Sequence, residues 1–156
     1  MKKADIEAFV NKLSPFSPIR IKFLSENEIG ELYANADYIL DRSTGRVVNR
    51  TIQINRRLFS QESLTEQQAI LMHEIGHFEN PRIRRSDERE AAAHLWAFKK
   101  ARQKGWKKIE RVLIEFMVSY DRNYTWNQDG GAWRRYIKAA SIFRKELRRI
   151  NGHKLS

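Results

Sequence analysis

Ser63-Leu64-Thr65-Glu66-Gln67-Gln68-Ala69-Ile70-Leu71-Met72-His73-Glu74-Ile75-Gly76-His77-Phe78 is the stretch that decides how this 156-residue chain is read. Ser63-Leu64-Thr65-Glu66 has the form of a capping box: the Ser hydroxyl can cap and the Glu can reach back three residues. From there the period is helical, with Leu71, Ile75 and Phe78 on one stripe. Asn80-Pro81 ends the run, because Pro lacks an N–H and restricts its predecessor. On such a helix His73 and His77 lie on one face, a turn apart. Two imidazoles so placed can converge on one Zn²⁺ at about 2.0–2.1 Å each. Glu74, next to His73, can take a proton from a water that zinc has acidified towards ~7. The competing reading is a core or surface histidine pair that holds no ion.

The chain has no cysteine, so disulfides, thiolate metal sites and Cys nucleophiles are excluded. Any metal must be held by His and carboxylate. Upstream, Ala4 to Leu13 carries Ile6, Phe9, Val10 and Leu13 at the spacing of a short amphipathic helix, which Ser14-Pro15-Phe16-Ser17-Pro18 stops. Three strands are predicted next. Ile19 to Leu24 alternates apolar and basic residues, Ala36 to Leu40 is a second strand, and Arg46 to Asn55 is a β-branched third. Asp41-Arg42-Ser43-Thr44-Gly45 predicts a hairpin between the last two. Beyond the histidines, helices are predicted over Ser86 to Lys104, with Gly105 as the stop, over Lys107 to Tyr120, and over Ala132 to about Ile150. Asp121 to Gly131 reads as a loop, either a substrate lid or a helix connection whose Trp residues pack on the core. Strands first and helices afterwards predict an α+β domain.

A catalytic zinc usually has three protein ligands and one open position. Candidates for the third are Glu90 and His94, an i, i+4 pair on the next helix, with Glu79, Asp87 and Glu88 close by. The stretch Glu90-Ala91-Ala92-Ala93-His94-Leu95-Trp96-Ala97 resembles the second-helix signature of gluzincin-type metallopeptidases. Glu90, Ala93, His94, Trp96 and Ala97 fall in register with it. The order of elements over residues 19–104 is similar to the minimal ImmA/IrrE-like and SprT-like peptidase cores. The resemblance implies Glu90 as third ligand, with Glu88 as alternate, and Ile52-Gln53-Ile54-Asn55 as an edge-strand-like segment beside the cleft. It implies zinc-dependent peptide-bond hydrolysis with Glu74 as general base. His94 departs from the pattern, in which Asp or Asn is usual. It either orients His73 or His77 or serves as a fourth ligand, which would make the metal structural. These peptidases often use a Tyr, His or Arg at the oxyanion; Tyr120, Tyr124 and His153 are the candidates.

The net charge of +11 is unevenly spread. Residues 1–80 hold ten Lys/Arg against eleven Asp/Glu, and residues 81–156 hold twenty against eight, so all the excess follows the histidine helix. Arg134, Arg135, Lys138, Arg144, Lys145, Arg148 and Arg149 crowd the last helix and could track phosphates or an acidic protein. The alternative is a solvated helical surface. Arg82, Arg84 and Arg85 join the two ligand-bearing helices and could meet an acidic substrate. A nucleic-acid-binding or structural metal domain without proteolysis is therefore the rival to the enzyme. No apolar run reaches the roughly 20 residues of a membrane span. No apolar segment follows the basic start of Met1-Lys2-Lys3, so the cytoplasm is the expected address. Without repeat or linker, residues 1–156 read as one domain, with a core at about 19–104 and a basic helical extension at about 105–151.

Overall fold

The computed structural model describes residues 1–15, 17–30, 32–123, 131–150 and 152; the side chains of 118–123 and 131–136 lie outside that description. The architecture is α+β: the described residues form seven helices and one small mixed sheet. Strands β1 (Arg20–Leu24), β2 (Ala34–Leu40) and β3 (Val47–Asn55) are ordered β1-β3-β2. β3 runs parallel to β1 and antiparallel to β2. Ile52 and Ile54 on β3 are fully buried.

The segment Ile52-Gln53-Ile54-Asn55 is thus the inner strand, not the edge. The hairpin takes up one side of β3, and β1, from some thirty residues upstream, takes the other. Alternation looks the same on an inner and an outer strand, so the sequence did not distinguish them. β2 is left as an edge. Its pairing with β3 slips between Asp37↔Thr51 and Ile39↔Val48, so Tyr38 faces both Asn49 and Arg50, and Asn49 takes a φ of 53°. That extra residue is a β-bulge. The hairpin turn forms as expected. The Asp41 carboxylate accepts from the Ser43 N–H at 2.8 Å and from the Ser43 and Thr44 hydroxyls at 2.7 Å each. Those bonds hold its carboxyl low, at about 2.

Helix α1 (Lys3–Leu13) buries Ile6, Val10 and Leu13. Two single-turn helices, α2 (Glu26–Ile29) and α3 (Arg56–Gln61), are too short to show a period and were not expected. Each has a local cause. Glu28 accepts from the Ser25 N–H, and the Asn55 side chain accepts from the Leu58 N–H. The central helix α4 (Leu64–Glu79) starts at the expected box: Glu66 N–H donates to Ser63 Oγ at 3.3 Å, and Ser63 N–H donates to Glu66 at 2.8 Å. Helix α5 (Ser86–Gln103) closes at Gly105, with φ 70°, where the Trp106 N–H reaches back to the Ala101 carbonyl. Helices α6 (Lys107–Asn123) and α7 (Gly131–Ile150) pack on α5. One buried cluster runs from Ile6 through Ile54, Ile75 and Phe98 to Phe143 and Leu147. The basic extension therefore shares the core of the sheet. No described helix is long and apolar enough to cross a membrane.

The contact that positions the site is between α4 and α5. A Cβ built at Gly76 would stand 2.3 Å from the Ala93 carbonyl oxygen and 2.8 Å from its Cα. Backbone meets backbone there, and only glycine permits it. Gly76→Ala must push the helices apart. It is expected to destabilise the fold by about 1–3 kcal/mol or more. Urea unfolding checks this, and an unshifted midpoint would contradict it.

Candidate metal centre

The close crossing sets a carboxylate of α5 against two imidazoles of α4. His73 and His77 are one turn apart, with ring centroids 4.8 Å apart and planes at 87°. His77 Nε2 lies 3.2 Å from His73 Nε2. Glu90 Oε2 lies 3.2 Å from His73 Nε2 and 3.6 Å from His77 Nε2. One atom from each residue can be chosen so that all lie within 4.8 Å of one another, as a metal triad requires. Donors about 2.0–2.1 Å from a tetrahedral zinc are themselves about 3.3–3.4 Å apart, so the spacing fits that ion.

His94, on α5, is 3% exposed. Its Nε2 faces the Leu113 carbonyl of α6, an acceptor only, so Nε2 carries the proton and donates. Burial, with the nearby His73, pushes the His94 pKa down to about 3, so the ring is neutral and Nδ1 is a bare acceptor. His73 Nδ1, 3.2 Å away, must then be the donor. A neutral His73 therefore turns a lone pair at Nε2 towards His77 and the Glu90 carboxylate. Lone pairs converging on one point require a cation between them, either a proton or a metal ion.

Glu90 suits that role. Burial alone would raise its carboxyl, but the hydrogen bonds and charges of His73 and His77 hold it far below the ordinary carboxylate range. Glu74 differs. Burial pushes its carboxyl up to about 7, with the Glu90 charge adding to the rise; His73 and a hydrogen bond from the Ala36 N–H of β2 oppose it. The edge strand and the buried carboxylate meet at Ala36.

Both nitrogens of His94 are engaged away from the point where the triad converges. Phe143 of α7 lies edge-on to the His94 ring at 5.0 Å. Glu88 is half exposed and pairs with Arg85 at 3.3 Å, outside the cluster. Arg85 also holds Asp87 at 3.0 Å. Arg82 rests on the hairpin turn at Gly45. Lys138, Lys145, Arg148 and Arg149 are exposed on α7, and Arg144 is half-buried. Tyr124 and His153 lie outside the described residues, as do the side chains of Tyr120, Arg134 and Arg135 and the expected lid from Tyr124.

Sequence reasoning missed the Leu113 carbonyl, the Ala36 amide and Phe143. The first two are backbone groups that no residue type betrays. The glycine inside the histidine helix was the available sign of a close helix contact. No family model, curated protein or solved structure matches the chain.

If His94 orients His73 without ligating, His94→Ala should keep a full complement of zinc and weaken it about 10–100-fold. His94→Gln, which can still donate to Leu113 and accept from His73, should recover part of the loss. Chelator competition measures this. A loss in His94→Ala as deep as in His77→Ala would make His94 a ligand.

Proposed function

We propose that the chain is a zinc-dependent peptidase in which His73, His77 and Glu90 hold the ion. The observation that carries this is the convergence of His73 Nε2, His77 Nε2 and Glu90 Oε2 from two helices on one point. Zinc would supply the positive charge that polarises a carbonyl and acidifies water.

The chain's residues divide the remaining work. Glu74 accepts the proton of the attacking water and passes it to the leaving amine nitrogen as the carbon–nitrogen bond breaks. Its carboxyl is raised by burial, which suits a group that must both take and give a proton near neutrality. Ala36 steadies it from β2. β2 pairs only with β3 among the described strands, so its outer edge can take an extended peptide by main-chain hydrogen bonds. His94 and Leu113 keep His73 in the tautomer that presents Nε2 to the ion.

A second reading, a nucleic-acid-binding module without hydrolysis, draws on the twenty Lys/Arg against eight Asp/Glu of residues 81–156. Glu74→Gln separates the two. In an enzyme it should keep its zinc and lose about 10²–10⁴-fold in peptide hydrolysis. Cleavage of an unfolded protein substrate, read by mass spectrometry, checks this. Unchanged turnover in the variant would remove Glu74 from the reaction.

A further inference from the structure

Helix α5 carries Glu90 near one end and runs to Gln103 at the other. At about 1.5 Å per residue, Lys104 stands roughly 20 Å along the axis from the metal ligands. Three helix ends meet there. α6 starts at Lys107, directly after the turn at Gly105. Helix α7 follows α6 by a short connection and packs against both α6 and α5, so it runs back beside α6. The levels agree: His94 meets both Leu113 of α6 and Phe143 of α7. Six or seven residues on from that level are Lys107 on one helix and Ile150 on the other.

This end is almost entirely cationic. Lys99, Lys104, Lys108, Arg111, Lys145 and Arg148 are all exposed and have no acidic partner among the described residues. The only acids on these helix ends, Glu110 and Glu146, are taken up by Lys107 at 3.1 Å and Arg149 at 3.0 Å. Beside the turn lies a shallow groove of about 550 Å³, where Lys12 sits over the Trp106 ring and Thr65 and Gln68 offer polar groups. Among the described residues, the large exposed apolar side chains Leu32, Tyr33, Ile39, Val48 and Leu64 all lie off these helix ends. A protein interface needs an apolar centre, whereas a polyanion needs only spaced cations.

We propose that this end of the α5–α6–α7 bundle is a nucleic-acid-binding surface that contacts the phosphate backbone, separate from the metal centre. It is independent of proteolysis and survives if the peptidase reading fails.

Fluorescence anisotropy with a short labelled duplex and the matching single strand tests the surface, using the full chain with and without Glu74→Gln. Binding should weaken steeply as salt rises. Combining Lys104→Gln, Lys108→Gln and Arg148→Gln should make the slope of log K against log salt shallower by about 3, and lower affinity near 0.1 M salt roughly 10²-fold. The thermal midpoint should not move, because all three side chains are exposed. No binding of either nucleic acid, or a slope unchanged in the triple variant, would overturn the proposal. So would equally tight binding of polyglutamate or of anionic lipid vesicles, which would assign the surface to an acidic protein or a membrane.

Discussion

The backbone contact of Gly76 with Ala93 is the constraint on which the site depends. An i, i+4 histidine pair is easily made on any helix, but it offers only two donors. The third must come from another element, at a distance set to within about half an ångström. Here the candidate third donor, Glu90, is carried by α5, whose approach to α4 is limited only by van der Waals contact between main chains. A side chain at position 76 would insert a methyl group there and draw Glu90 away from both imidazoles. The alanines of α5, with Ala91, Ala93 and Ala97 all buried, serve the same end. The two helices hold His73, His77 and Glu90 close because so little lies between them.

Behind His73, His77 and Glu90, the helices that follow α5 orient the side chains of this cluster. The Leu113 carbonyl of α6 accepts a hydrogen bond from His94 and Phe143 of α7 packs on its ring, so the orientation of His73 depends on elements more than thirty residues downstream. Deep burial keeps His94 uncharged, which makes it an acceptor for His73 rather than a competitor for Glu90. In front, the edge of β2 reaches Glu74 through the Ala36 amide. The buried carboxylate is thus tied to an outer strand that packs on α4.

Much of this was legible in the sequence, and the reasons are local. The Ser63 cap, the periodic run to Phe78, the Gly105 stop and the Asp41–Gly45 turn each announce an element within a few residues, and each formed as read. The spacing of His73 and His77 required only helix geometry. Partners from distant segments were harder. Nothing in Ile52 to Asn55 says that β1 will cover its second side, so the inner strand reads as an edge. Glu90 could be drawn from a pattern but not told from Glu88 by helix spacing alone; the structure turns Glu88 towards Arg85. His94 was left between two roles because the decisive group is a main-chain carbonyl of α6. The uneven charge was plain in composition. Its gathering at one end of three helices depends on how α7 folds back.

His73, His77 and Glu90, from two helices, are proposed to hold one cation. Elemental analysis of zinc per chain, for wild type and Glu90→Ala purified side by side, tests it most directly. About one zinc per chain in the wild type and markedly less in the variant is the predicted result. A wild type that takes up no metal even after reconstitution with zinc, or a variant that holds as much as the wild type, would contradict it.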